Sequence, residues 1–124
     1  MKIEVSVGEV VDKYTILTLK TMYITDPYKA MNVIKEFNYI NDALTEKPEV
    51  TSDELTGKLL NVNKELWEVE DQLREFEKQG DFGFEFINLS RSVYRLNDKR
   101  ADIKKQINLK YGSAFVEEKS YGKY

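Results

Sequence analysis

The chain has 124 residues, with 19 Lys and Arg against 22 Asp and Glu, and it contains neither cysteine nor histidine. Those two missing residue types exclude disulfides, thiolate metal sites, the common zinc ligands and the usual general base of a nucleophilic triad. The formal net charge of −3 argues against binding to nucleic acid polymers or acidic membrane surfaces, and no segment is apolar enough to span a membrane.

Two N-terminal signals predict the first two helices. Ser6 is followed by Glu9 three residues later, and apolar residues then recur at steps of three and four, which predicts a capped helix over about 7–24. Asp26 is a good N-cap and is followed by proline, which predicts a second helix over about 27–45. The predicted apolar face of the first helix comprises Val7, Val10, Tyr14, Leu17 and Ile24.

The second half of the chain predicts a long helical hairpin. With Thr51 or Ser52 as its cap, a heptad seam of apolar residues predicts a third helix over about 52–78, roughly 38 Å long at about 1.5 Å per residue. The glycine-containing stretch KQGDFGF interrupts this seam. The same alternation then resumes and predicts a fourth helix over about 84–111, with Gly112 as its C-terminal cap.

These elements together predict an all-α bundle dominated by an antiparallel hairpin, in one domain over residues 1–124 with a tail over 112–124. KIEVS before the first helix and AFVEE after the fourth could pair as a short two-stranded β element. A long regular seam usually continues beyond one chain, so a homo-oligomer is expected. Because no segment has the pattern of a secretion signal, we expect a cytoplasmic location.

Arg100 occupies a seam position where the heptad pattern calls for an apolar side chain. A guanidinium there must pair with an acid, reach the edge of the bundle or hold an anionic ligand, and pairing with a glutamate of the third helix is the more frequent arrangement. Arg91, Arg95 and Lys99 follow one another at four-residue steps on the same helix. This positive stripe suits phosphate groups, and it equally suits a solvated face that answers the acids of the third helix.

The tail motif EEKSYGKY combines tyrosine rings with lysine charges, which suits a base or sugar ring that carries phosphate. Alternatively, the tyrosines only dock the tail in a groove between helices. Near the other end, Lys13 is a further candidate cation, while Tyr14 lies on the apolar face and suits a core aromatic with its hydroxyl at the rim. The candidates in the tail are Lys119, Tyr121, Lys123 and Tyr124.

A group of acidic residues allows a further interpretation. Facing carboxylate pairs hold Mg²⁺ in all-helical nucleotide pyrophosphohydrolases, and the third and fourth helices both carry acids. Relative to the seam, however, Glu65, Glu68 and Asp71 turn progressively outward, so they are not expected to converge. The acids of the fourth helix considered with them are Asp98 and Asp102.

SVGEVVDKYTIL near the start and EEKSY near the end carry a resemblance to an uncharacterised family of small helical proteins encoded by tailed phages and some bacteria. ELWEVEDQL and LNDKRADIKKQIN extend the likeness over nearly the whole length. The family brings no established activity. The resemblance implies a polar site where the two end motifs meet. By size and architecture the chain also looks like phage proteins that sequester nucleotide-derived immune signals in the host cytoplasm.

The preferred hypothesis is non-enzymatic binding of a small anionic nucleotide-type ligand, such as a cyclic nucleotide or an ADP-ribose-derived signal, with no cofactor and no metal. Arginines would neutralise phosphates, lysines would add charge and a tyrosine would stack on a ring. The alternatives are a helical interaction or assembly protein without a small ligand, and a Mg²⁺-dependent nucleotide pyrophosphohydrolase. The candidate ligand-binding residues are Lys13, Tyr14, Arg91, Arg95, Arg100, Lys119, Tyr121, Lys123 and Tyr124.

Overall fold

The computed structural model describes residues 1–124 as an all-α bundle, which confirms the predicted fold class. Four α-helices and one 3₁₀ turn make up its regular structure, and no helix combines the length and apolar character needed to cross a bilayer. The α-helices are α1 (Val7–Tyr23), α2 (Pro27–Leu44), α3 (Glu54–Gln79) and α4 (Phe84–Lys110), and the 3₁₀ turn covers Pro48–Val50.

Helix α1 packs against the long hairpin formed by α3 and α4, and α2 packs against α1. Helix α1 contacts all three other helices, and it runs antiparallel to α4 because Gly8 contacts Asn108 while Asp12 contacts Arg100. The core lies where α1 meets the first half of α3 and the second half of α4. It is formed by Val11, Leu44, Val50, Leu59, Val62, Ile103 and Ile107.

The buried side of α1 is wider than the sequence pattern indicated. Val7, Val10 and Tyr14 of the predicted apolar face are only partly buried. Because α1 is the central helix, the adjoining side is also covered, by α3 and α4. Five residues outside the predicted face are therefore buried, namely Gly8, Val11, Asp12, Thr15 and Leu19.

The far half of the hairpin projects beyond α1, because α1 has 17 residues whereas α3 has 26 and α4 has 27. No residue between Asn63 and Ile103 is fully buried. Near the tip of the hairpin, Phe82, Phe84 and Ile87 expose 52 %, 78 % and 51 % of their surface. This half of the hairpin therefore leaves apolar surface open to solvent.

The predicted caps are correct for α1, α2 and α4. The Ser6 hydroxyl accepts the Glu9 backbone N–H at 3.1 Å, and Asp26 caps α2 through two backbone N–H groups. Gly112 has a φ of 62°, and the N–H of Ser113 reaches back to the carbonyl of Asn108 at 2.9 Å. That bond closes the Schellman arrangement that ends α4.

Two predictions about local structure are wrong. Neither Thr51 nor Ser52 caps α3; Asp53 does so, by accepting the Leu55 backbone N–H at 2.8 Å. No β element forms between the ends of the chain. The segment after α4 instead lies against α4, where side-chain ion pairs hold it, so its backbone pairs with no strand.

Asp53 also joins the start of α3 to the end of α4. Its side chain is 4 % exposed, and its Oδ2 accepts hydrogen bonds from Lys110 at 2.6 Å and from the Tyr111 hydroxyl. The bond from Lys110, then those from Tyr111 and the Leu55 backbone, lower the pKa of Asp53 to about 2. The same contact raises the pKa of Tyr111 to about 12.

We expect the stabilising contribution of Asp53 to disappear in acid. Because its pKa is lower in the folded chain than the ordinary 3.8, the contribution is complete above about pH 4 and is lost as the pH falls through about 2. Asp53→Asn should therefore cost about 1–2 kcal/mol at pH 6, with a difference from the wild type that shrinks towards pH 2. Urea unfolding from pH 6 to pH 2 measures this difference.

Tyr111→Phe serves as the graded control, because it removes only one of the donors to Asp53 and should remove only part of the pH-dependent difference. A difference in the free energy of unfolding between wild type and Asp53→Asn that stays constant over the whole pH range would contradict the lowered pKa of Asp53.

Candidate functional site at the meeting of the two end motifs

Asp12 is the centre of a buried polar network between α1, α3 and α4. Its side chain is 2 % exposed and contacts the guanidinium of Arg100 through both carboxylate oxygens, with the Arg100 Nε at 3.0 Å from Oδ1. The amide of Asn63 donates to the same Oδ1 at 2.9 Å and to the Thr15 hydroxyl at 2.9 Å. Arg100 thus meets an acid, as expected, but the acid belongs to α1 and not to the third helix.

Lys104 joins the two motifs that carry the resemblance. Its side chain is 10 % exposed, and its Nζ lies 2.8 Å from Glu9 in the first motif and 3.3 Å from Glu117 in the second. The Asp12 carboxylate lies 3.8 Å away. Burial lowers the pKa of Lys104, but the hydrogen bond to Glu9 and the three nearby carboxylates outweigh it, so the pKa is raised overall.

Helices α1 and α4 approach most closely at Gly8. The Gly8 N–H donates to the side-chain oxygen of Asn108 at 2.6 Å, and the Val7 N–H donates to the Ser113 hydroxyl at 3.2 Å. The first turn of α1 is therefore bonded both to α4 and to the beginning of the segment that follows it. The two end motifs lie together in space, held by backbone as well as side-chain contacts.

The segment over 113–124, here called the tail, has no regular secondary structure but is attached to α4 at several points. Glu117 lies 3.3 Å from Lys104, and Glu118 lies 3.2 Å from Lys105. Further along, the ring of Tyr124 packs edge-on against Tyr94 with centroids 5.0 Å apart, and the Arg95 guanidinium lies 5.3 Å from the Tyr124 centroid. Charge pairs hold one end of the tail and aromatic contacts hold the other.

Two open cavities lie between the tail and α4. The smaller has a volume of about 520 Å³ and is walled by three tyrosine rings. The larger has a volume of about 620 Å³ and carries four acids and three lysines. The smaller is lined by Tyr94, Asn97, Asp98, Lys119, Tyr121, Gly122 and Tyr124. The larger shares all of these except Tyr94 and Asn97, and is also lined by Ala101, Asp102, Lys105, Glu117, Glu118 and Lys123.

The electrostatics differ between the two sides of the smaller cavity. Arg91 and then Arg95, beside the Tyr94 hydroxyl, lower the pKa of that phenol. Burial and the adjacent Asp98 carboxylate raise the pKa of Tyr124 instead. The cavity therefore has a cationic rim at Tyr94 and an acceptor-rich wall at Asp98.

A protein-family model described as a family of unknown function, DUF6165, matches residues 1–123. The chain belongs to this family. That finding confirms the resemblance to an uncharacterised family. In this DUF6165 member, the two motifs that carry the resemblance meet at Lys104. No curated protein and no solved structure matches the chain.

The structure of this DUF6165 member places the predicted site residues in four groups. Four of them line the tail cavities, and two lie at the cationic rim beside Tyr94. Arg100 is engaged by Asp12 at the base of the tail. Lys13 pairs with Glu36 of α2 at 3.2 Å, and Tyr14 stacks on Phe37 at 5.7 Å, so neither lines a tail cavity. The lining residues are Lys119, Tyr121, Lys123 and Tyr124, and the rim residues are Arg91 and Arg95.

Sequence reasoning missed the buried centre of this site. Asp12 interrupts the apolar run of VVDKYTIL, and a lone acid in such a run calls for a buried partner. Together with an arginine in the hairpin seam, it was a usable signal for the Asp12–Arg100 pair. Lys104 and Asn63 carry no comparable signal, because both read as ordinary polar residues on the faces of long helices. No three Asp or Glu side chains lie close enough together to hold a metal ion.

Proposed function

We propose that this chain is a non-enzymatic binding protein for a small anionic nucleotide-type ligand, held between α4 and the tail. One observation carries the proposal: three tyrosines wall a single cavity of about 520 Å³ with two arginines at its rim. That volume lies within the range of roughly 300–1,000 Å³ typical of small-molecule sites.

The side chains around this cavity match the parts of such a ligand. Tyrosine rings offer flat faces on which a base can stack, and arginines bind phosphate through paired donors. Asn97 and Asp98 offer hydrogen bonds to ring nitrogens or ribose hydroxyls. The ring would lie among the tyrosines, with its phosphate towards Arg91 and Arg95. In this arrangement Arg100 stays paired with Asp12 and does not itself contact phosphate.

Sequestration is the role we propose for this binding. A protein that removes a cyclic nucleotide or an ADP-ribose-derived signal needs affinity and no chemistry, so a docked tail that closes over the ligand is sufficient. For a phage-encoded member of the family, such binding would suppress a nucleotide-based immune response of the host.

A helical interaction or assembly protein is the second candidate, and exposed apolar side chains on two helices favour it. Helix α2 exposes Tyr28 at 82 % and Met31 at 68 %, and the hairpin tip exposes its phenylalanines. A second copy of the chain is the partner we propose in this case, because the acidic arm α3 of one copy complements the basic arm α4 of another.

Thermal unfolding with a panel of nucleotides, cyclic nucleotides and ADP-ribose tests the first candidate. A ligand present at a hundredfold excess over its dissociation constant stabilises the fold by about 2.7 kcal/mol and raises the unfolding midpoint. Tyr124→Ala should abolish this rise, because Tyr124 packs edge-on against Tyr94 and lines both cavities. Each variant is compared with its own ligand-free midpoint.

Tyr28→Ala is the matched control, since Tyr28 is exposed on α2 and should leave the ligand-dependent rise unchanged. A flat response to the whole panel would reject the first candidate and favour the second. Mass spectrometry of the recovered ligand checks the non-enzymatic part: a hydrolysed nucleotide would contradict sequestration.

A further inference from the structure

A second recess, remote from the tyrosines of the tail, opens where α1 ends against the hairpin. It consists of two adjoining cavities of about 430 Å³ each, which share Trp67 and Asp71. The Trp67 ring packs on Tyr23 with centroids 5.3 Å apart. We call this recess the Trp67 cleft. Its apolar floor is formed by Ile16, Leu19 and Leu66, and its polar wall includes Asn63, Glu68, Glu70 and Arg74.

A buried polar group with an unused acceptor lines the cleft. Asn63 is 6 % exposed, and its amide nitrogen donates to both Asp12 and Thr15 at 2.9 Å. The Asp12 carboxylate fixes this orientation, because the amide oxygen would be repelled by it. The Asn63 Oδ1 accepts no hydrogen bond from the protein and is not sealed off from solvent. It is therefore available to a donor that enters the cleft.

The charges around the cleft do not cancel. Arg100 is paired with Asp12, and Arg74 lies 3.8 Å from Glu70. Glu68 and Asp71 have no ion-pair partner in the chain. Both line the cavity beside the two aromatic rings, and that cavity contains no basic residue. An aromatic pair beside two uncompensated carboxylates favours a positively charged occupant.

We propose that the Trp67 cleft binds a small organic cation, an ammonium or guanidinium group on a short apolar stem. The cation lies against the faces of Trp67 and Tyr23, with Asp71 and Glu68 as its counter-charges. The apolar floor takes its methylene groups, which extend towards the adjoining cavity where the Asn63 oxygen lies. The cleft shares Asn97 with the smaller tail cavity, but none of its two rings and two counter-charged acids lines that cavity, so cation binding and nucleotide binding can be tested separately.

Tryptophan fluorescence tests the proposal directly, because Trp67 is the only tryptophan in the chain. Titration of the full chain with cadaverine and with agmatine should give a saturable change in Trp67 emission, and 1,5-pentanediol, the uncharged counterpart of cadaverine, should give none. Asp71→Asn should weaken amine binding at least about tenfold. Circular dichroism checks that this exposed substitution leaves the helices intact.

Glu77→Gln is the matched control, since Glu77 is an exposed acid of the same helix that does not line the cleft, and it should leave amine affinity unchanged. Titration with a lysine-bearing peptide separates the two sources of such a cation: tighter binding than cadaverine assigns the cleft to a basic protein segment, and weaker binding assigns it to a free amine. The proposal is overturned if the diol matches the amines, if Asp71→Asn has no effect, or if no titrant changes the emission.

Discussion

Asp12→Asn is expected to lower the free energy of unfolding by about 3–5 kcal/mol at neutral pH. The substitution keeps the size of the side chain but removes the charge that faces Arg100, and Lys104 also loses a carboxylate 3.8 Å away. Removing one member of a buried ion pair leaves the other charge without compensation, which costs more than the pair contributes. Urea unfolding of wild type and variant measures the loss.

Asp42→Asn is the control for this prediction, because Asp42 is an exposed acid of α2 and its replacement should change stability by less than about 0.5 kcal/mol. The double variant Asp12→Asn with Arg100→Gln should lose less unfolding free energy than the two single variants lose in sum, because the second change removes the uncompensated charge. Strict additivity would show that the two side chains do not act as a pair.

Gly8→Ala is the second substitution with a large expected effect, a loss of about 2–4 kcal/mol. A methyl group at this position would lie 2.6 Å from the Lys104 backbone oxygen and 2.8 Å from the Asn108 side-chain oxygen. Because one of these atoms belongs to the backbone, α1 and α4 must separate, and the Gly8 hydrogen bond to Asn108 is lengthened or lost. Chemical denaturation measures the change.

Gly57→Ala is the control for this prediction, because it is expected to raise the free energy of unfolding instead of lowering it. Gly57 lies in α3, and a methyl group there meets no atom within 4 Å, so alanine should stabilise the protein by about 0.5–1 kcal/mol. If Gly8→Ala were neutral or stabilising like Gly57→Ala, the close approach of α1 and α4 would be wrong.

Gly8 and Asp12, the two positions where substitution is expected to cost most stability, both lie in the contact between α1 and α4 to which the tail is attached. Gly8 fixes the distance between α1 and α4, and Asp12 holds Arg100 in the middle of the same contact. Lys104 then links this contact to Glu117 of the tail. Substitutions at Gly8 or Asp12 should therefore loosen the attachment of the tail as well as the bundle.

Local sequence features account for the helices and most of their ends. The caps at Ser6, Asp26 and Gly112 use backbone groups within five residues of each other, and the apolar periodicity of the hairpin is also a local property. Such features need no knowledge of distant contacts. The same local rules placed the cap of α3 wrongly, because Asp53 is also held by Lys110 and Tyr111 at the end of α4.

The charge pairs and the positions of the cavities, in contrast, depend on how the helices pack. Asp12 and Arg100 are 88 residues apart, and Glu9 and Lys104 are 95 apart, so no spacing rule connects them. The partner of Arg100 follows from the position of α1 across the hairpin, and the Trp67 cleft follows from the point at which α1 ends. Side chains on separate helices meet according to how the helices pack, and helix periodicity specifies only which face is apolar, not which residue of another helix that face will meet.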